Sequence, residues 1–458
     1  MGAGLIDNLP RQPRTIAETG LSLDVLAELA LKTIHFHSVL SSQEIADALK
    51  LPFGNVIKET LDYLQRERLV DVRAADDPAQ VARHYSVSHI GQRRIREMLD
   101  HTRYVGPAPV TLEQYIKMVH AQSFANESVT PVALRAALAH LVLDDAIIAQ
   151  LGPAIIGGKS VFLFGNTGNG KTSIGLGLGA LLTGAIWIPY AVEVQGQIVK
   201  IFDPLRHRVV PQKNESDSAV LRRKGLLHHL VHGPVDEEVS FILPANQRYD
   251  ERWLPIRRPL IVGGGELTLA NLDLIFDPAT RYYEAPQQMK ANGGMFLLDD
   301  LGRQAVAPRE ILNRWIVPLD KRVDYLQLAT GHRFAIPFDV SIVFATNLDP
   351  NALVEESFLR RIRTKLYVPD PTWEQFREIF KREATRHGVA YSEENLHYLI
   401  DEYYRKPNRA PRGAHPRDLL DALVDIAKFK NVTPTMSKPL VDAACQFYLM
   451  NEHPATSA

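Results

Sequence analysis

The stretch SVFLFGNTGNGKTS, residues 160 to 173, constrains the chain more than any other. A short apolar run enters a turn with glycine at 165, 168 and 170, and the turn opens directly into KTS and an apolar helical pattern. A strand, a glycine-rich turn and a helix in that order make one unit of an α/β sheet. Glycines let backbone N–H groups close around an anion, and the helix N-terminus adds positive potential. Gly165, Asn166, Thr167, Gly168, Asn169, Gly170, Lys171, Thr172 and Ser173 therefore read as a phosphate-binding loop. In such a loop Lys171 reaches the terminal phosphates and the Thr172 hydroxyl takes Mg²⁺.

A second stretch, GGMFLLDDLGRQ at 293 to 304, runs an apolar strand into Asp299 and Asp300. Burying two adjacent carboxylates is costly unless each finds a partner or loses its charge. If this strand ends at the same edge of a parallel sheet as the glycine loop, its acids face the phosphates. Asp299 is then the expected Mg²⁺ ligand, usually through water. Asp300 is expected to face the attacking water and to orient or deprotonate it at the γ-phosphate.

Bulk properties narrow the class without naming it. A length of 458 residues suits two or three domains, and a net charge of −1 gives no global footprint for nucleic acid or an anionic membrane. The single cysteine, Cys445, excludes an internal disulfide and a cysteine-based zinc site, which fits a reducing, cytoplasmic setting. The opening MGAGLIDNLPRQPRT lacks the apolar core of a secretory signal, so residues 1–20 read as a flexible leader. The uncharged stretch 174–192 reaches membrane length, but its glycines, Pro189 and the break at Thr183-Gly184 predict a buried helix followed by a buried strand. No membrane insertion is expected.

Residues 21–104 show three helical periods, a capping-box signal from Ser41 to Glu44 and a strand pair, LVDVRA and RHYSVS. This pattern resembles a winged-helix domain. The unit holds 11 basic and 12 acidic side chains, so protein interaction is favoured over duplex DNA. Arg93, Arg94 and Arg96 are the feature that speaks for DNA. Residues 105–153 read as a linker and helices, 154–371 as an α/β core with an insertion at about 195–291, 372–450 as helical and 451–458 as a tail. Within the insertion, GGGELTL is a candidate mobile loop, and His228 and His232 are four apart without the further ligands that a metal needs.

Taken together these motifs resemble the AAA+ ATPases. VSIVFATNLDP, 340 to 350, is similar to the strand whose polar residue senses the γ-phosphate, which puts Asn347 in that role. SFLRRIRTKLYVPDP, 357 to 371, resembles the end of the core, where an arginine enters the neighbouring subunit's site; Arg361 is the first candidate and Arg360 the second. RGAHPRDLLDAL, 412 to 423, resembles the lid helix whose arginine, here Arg417, contacts the γ-phosphate in cis. The segment from the paired acids to Asn347 is nearest to the MoxR-like and helix-2-insert group. Asp300 stands where Glu is the commoner family residue, and 128 positions separate Lys171 from Asp299.

The resemblance implies an α/β P-loop core with a parallel sheet, a C-terminal helical lid and an N-terminal winged-helix domain. It also implies Mg²⁺-dependent ATP hydrolysis in a ring-shaped homo-oligomer, a hexamer on resemblance alone, that remodels a protein client. A DNA-directed ATPase using residues 21–104, or an ATP-gated scaffold with little turnover, are the alternatives.

Overall fold

The apolar runs VFLF, LIVG, GMFLL and VSIVFAT, with the more polar TKLY at one edge, are strands of one sheet in the computed structural model, which describes residues 3–73, 83–123, 129–155, 160–212, 241, 247–353, 360–362 and 364–449. They are β1 (Val161–Phe164), β2 (Leu260–Gly263), β3 (Gly294–Leu298), β4 (Val340–Thr346) and β5 (Thr364–Tyr367). All pair in parallel, in the order β2-β3-β4-β1-β5. Every side chain of β3 and β4 is buried. That is why these strands read as continuous apolar runs rather than alternating ones: both faces of a parallel sheet are covered.

One face packs on α1 (Lys171–Ala180) and on the preceding helices Pro131–Ala137 and Asp145–Ile155, with Leu134, Leu151, Ile174 and Leu178 against Leu297 and Val343. The other face packs on α2 (Pro308–Lys321), where Trp315 meets Phe296 edge-on at 5.3 Å and Phe344 at 6.0 Å. The core is thus an α/β P-loop fold. Because its strands are parallel, their C-terminal ends line up along one edge, and the glycine loop and the paired acids both emerge there.

Between α1 and β3 the chain builds a second layer around β2. Ala185–Pro189 and Trp253–Arg257 form an antiparallel pair. Ala191–Val194, Gln197–Lys200, Ile275–Asp277 and Tyr282–Glu284 form a five-stranded sheet with Val110–Thr111, from the stretch expected to be a linker. The strand β2 itself lies inside the range 195–291 that the sequence suggests as an insertion. Leu260–Gly263 carries no motif, so its place in the core depends on pairing with β3.

Residues 21–104 hold helices Leu23–His37, Ser42–Leu49 and Lys58–Arg66, and strands Val39–Ser41, Val70–Arg73 and His84–Val87 in one antiparallel sheet. The Ser41–Glu44 capping box is formed. Ala191 and Ile198 of the second layer are buried in the same cluster as Leu26, Ile34 and Leu61, so this unit packs on that layer. Arg252, only 1% exposed, pairs with Asp250 at 2.7 Å and donates to the carbonyls of Thr19 and Pro109. A buried ion pair is tolerable when its remaining donors are satisfied, and here they tie three distant segments together.

His207 gives this layer a pH dependence. Its ring is fully buried: Nδ1 accepts from the Asp203 N–H at 3.0 Å and Nε2–H donates to the Lys290 carbonyl at 2.9 Å. Burial lowers its pKa from 6.5 to about 4. The unfolded chain therefore takes up a proton that the folded one refuses, so the stabilisation is complete above 6.5 and is lost as pH falls towards 4. Each tenfold difference in proton affinity is worth about 1.4 kcal/mol. The thermal midpoint is expected to fall between about pH 7.5 and about pH 5, and His207→Gln should flatten that slope.

The C-terminal helices α3 (Trp373–Arg386), α4 (Glu393–Ile400), α5 (His415–Phe429) and α6 (Lys438–Tyr448) have their own apolar core, centred on Phe376, Phe380, Leu420 and Val441. A capping box between Thr372 and Gln375 starts the first of them. Among the described residues, no helix is long and apolar enough to cross a membrane. His228 and His232 lie outside the described residues.

Candidate nucleotide site

At the end of β1 the chain turns at Gly165, with φ 143° and the carbonyl oxygen of Val368 only 2.3 Å from where a Cβ would stand. Any other residue would force β1 and β5 apart, so glycine is required by close approach. The loop ends at Gly170, the N-cap of α1. Lys171 is 7% exposed and turns back into the loop, its Nζ donating to the carbonyls of Gly165 at 3.0 Å and Asn166 at 2.8 Å. Burial lowers its pKa, while Asp300 and Asp299 act in the opposite sense. The ammonium is thus held inside the cup of the loop, where an anion would replace the two loop carbonyls as its partner.

The paired acids arrive at the same place. Thr172 Oγ1 donates to Asp299 Oδ1 at 2.8 Å, joining residues 127 positions apart. The Asp300 N–H donates to the same oxygen at 3.0 Å. Asp300 itself is exposed and adopts φ 50°, a left-handed conformation uncommon for residues other than glycine, asparagine and aspartate. Gln304 holds this turn: its amide donates to the Asp299 carbonyl at 3.0 Å, with those of Asp300 and Gly264 at 3.3 Å, and its Oε1 accepts from the Gly302 N–H at 2.9 Å. At the end of β4, Asn347 Nδ2 donates to Thr167 Oγ1 at 3.3 Å. One edge therefore gathers a buried ammonium, a hydroxyl, two carboxylates and an amide. Thr172 and Asp299 are the pair able to hold a hard divalent cation, since both offer oxygen.

Arg360 and Arg361 lie in the turn before β5, the first exposed and the second half-buried. Arg417, on the first turn of α5, is 56% exposed and pairs with its neighbour Asp418 at 2.8 Å. Other lid residues reach the glycine loop. The Gly413 N–H donates to Asn169 Oδ1 at 3.2 Å, and a Cβ on Gly168 would lie 3.2 Å from the Ala414 methyl. Arg412 is ion-paired with Asp370, which also accepts from the side-chain amides of Asn166 at 3.0 Å and Asn169 at 2.6 Å.

Asp370 and Arg412 are not singled out by sequence reasoning, although both sit inside the quoted YVPDP and RGAHPR segments. Each looks like an ordinary polar residue beside a proline or glycine. Only the contact across more than 200 positions gives Asp370 a role.

Residues 372–447 match a family described as a domain of unknown function (DUF8689). No curated protein matches the chain. Among solved structures, a RuvB mutant of Thermotoga maritima is 13% identical, with a TM-score of 0.34 over 70% of this chain and 72% of that one. NtrX of Brucella abortus in complex with ATP is 11% identical, with a TM-score of 0.37 over 80% of this chain and 64% of that one. The ADP complex of the same protein is 12% identical, with a TM-score of 0.35 over 67% of this chain and 56% of that one.

Proposed function

We propose that this protein is a Mg²⁺-dependent ATPase of the AAA+ type, acting as a ring of identical subunits on a protein client. The observation that carries the reading is the 2.8 Å contact between Thr172 and Asp299, with the buried Lys171 beside it. A hydroxyl and a carboxylate meeting at the mouth of a glycine loop suit a triphosphate that arrives with its cation.

Thr172 and Asp299 would hold Mg²⁺, which supplies neutralisation of charge on the phosphate oxygens when bound. Lys171 and the loop N–H groups bind the phosphates. Asp300 orients the attacking water and takes its proton, and Asn347 fixes the water or the γ-phosphate from the adjacent strand end. Arg361, with Arg360 second, stabilises the developing charge in a neighbouring subunit's site, and Arg417 does so from the lid of its own. Phosphoryl transfer needs positioning and charge stabilisation more than covalent chemistry, and these residue types supply both.

Steady-state phosphate release from ATP with Mg²⁺ tests the reading, and a purified oligomer without it would overturn the proposal. The trans role of Arg361 makes a separate prediction. An arginine donated from a neighbour is worth about 10³ to 10⁵ in rate in related hydrolases. Arg361→Ala and Lys171→Ala should each be nearly inactive alone and recover activity when mixed, because some interfaces then combine an intact loop with an intact arginine. No recovery in verified mixed assemblies would count against action in trans.

A second reading, an ATPase directed by duplex DNA, is favoured by one observation: Arg93, Arg94 and Arg96 are all exposed on the helix His89–His101. Salt-dependent duplex binding that Arg93→Ala and Arg96→Ala weaken would select it. Binding of ATP with little release of phosphate would select an ATP-gated scaffold.

A further inference from the structure

We infer that Asp370 is a positioning residue: it anchors the outer side of the phosphate-binding loop and joins it, through Arg412, to the helical lid. The inference rests on the nucleotide site proposed above and adds a residue pair that couples nucleotide affinity to lid position.

Asp370 lies between β5 and α3, at the junction of core and lid. The segment before it is fixed, since the Val368 N–H donates to the Phe164 carbonyl at 2.8 Å, next to the start of the loop. From there the Asp370 carboxylate accepts the side-chain amides of both loop asparagines. The backbone carbonyl of Asn166 meanwhile accepts from Lys171 inside the cup. The side chain of Asn166 thus holds the outside of the loop while its backbone serves the inside. A loop held in this way keeps its N–H groups aimed before the ligand arrives, and such preorganisation lowers the cost of binding.

The same carboxylate is one of the lid's attachments to the loop. Asn166, Asn169 and Arg412 all donate to Oδ1 of Asp370. Asn169 is held from the lid side as well, its Oδ1 accepting from the Gly413 N–H. Burial opposes ionisation of Asp370, but the hydrogen bonds from Asn169 and Asn166 and the Arg412 guanidinium outweigh it and hold the pKa below the ordinary carboxylate value. A lid displaced from the core must break the Arg412 pair and the Gly413 bond, which loosens both asparagines. By linkage, whatever tightens the loop, an ATP phosphate chain above all, must hold the lid.

The test is nucleotide affinity of the full-length protein, measured with a fluorescent ATP analogue and Mg²⁺, in a double-mutant cycle. Asp370→Ala is expected to weaken binding about tenfold and Arg412→Ala about fivefold, the scale of hydrogen bonds to a charged group. The double variant should bind no worse than Asp370→Ala alone, because both changes remove one linkage. Arg412→Lys, which keeps the charge, should recover part of the loss. In hydrolysis the variants should raise KM by more than they lower kcat, a split that simple destabilisation does not produce. Wild-type binding with unaltered affinity in both single variants, or losses that multiply in the double one, would overturn the inference alone. Failure of the wild type to bind ATP would overturn the site reading and this inference with it. Arg412 is part-exposed, so its variant tests the linkage even if Asp370→Ala folds poorly.

Discussion

Lys171→Ala is expected to weaken binding of Mg·ATP on the order of 100-fold, because it removes the one buried ammonium in the cup of the loop and its charge-assisted contacts to phosphate. The effect on the empty protein should be different in sign. Lys171 is desolvated and its donors rest on two carbonyls of its own loop, so a neutral side chain relieves a burial cost that no phosphate yet offsets. The thermal midpoint without nucleotide should therefore stay level or rise. The rise that Mg·ATP gives the wild type, set by ligand concentration over Kd, should disappear. Lys171→Arg is not expected to rescue binding, since a planar fork cannot occupy the space of a compact ammonium enclosed by the loop. A thermal scan of the three proteins with and without Mg·ATP checks all of this. An undiminished nucleotide shift in Lys171→Ala would place the phosphates elsewhere.

What the sequence made legible was local or strongly buried. VFLFGNTGNGKTS encodes its strand, turn and helix within 13 residues, so no tertiary knowledge is needed to see it. MFLLDD is legible for a second reason: apolar residues directly before two acids make little sense unless something charged meets them. Leu260–Gly263 is equally apolar but ends without a chemical group to explain, and only its ladder with β3 makes it part of the core. Val110–Thr111 sits among prolines and is a strand because Ala191–Val194 offers it an edge. The packing of residues 21–104 on the second layer draws on Ala191, Ile198 and Tyr282, ordinary apolar and aromatic residues far along the chain. Asp370 and Arg412 escaped notice in the same way, since a carboxylate that organises a loop 200 residues earlier leaves no local period. The left-handed backbone of Asp300 is likewise invisible in DDLGRQ, and it bears directly on how that residue can be tested.

Asp300→Asn is expected to leave ATP binding intact and to lower turnover by about 10² to 10⁴, the usual contribution of a positioned general base. The backbone makes this an unusually clean substitution. At φ 50° most side chains would add strain, but asparagine enters the left-handed region at least as readily as aspartate. The Asp300 N–H can keep its bond to Asp299, and the Gln304 amide can keep its hold on the Asp299 and Asp300 carbonyls, since all of these use main-chain atoms of residue 300 or lie outside it. What changes is the charge, the ability to accept a proton and one acceptor oxygen, which becomes an NH₂ donor. Removing a negative charge beside a triphosphate should, if anything, tighten binding, so Kd and kcat should move in opposite directions of benefit. Asp300→Glu offers the converse test. It installs a residue with longer reach towards the loop on a backbone that favours Asp, so gain in reach competes with loss in fit. Single-turnover hydrolysis with pre-bound ATP separates these effects from nucleotide exchange. Normal hydrolysis by Asp300→Asn would remove Asp300 from the chemistry and leave Asp299 as the acid that matters. Lost binding would instead make Asp300 part of the cation's support.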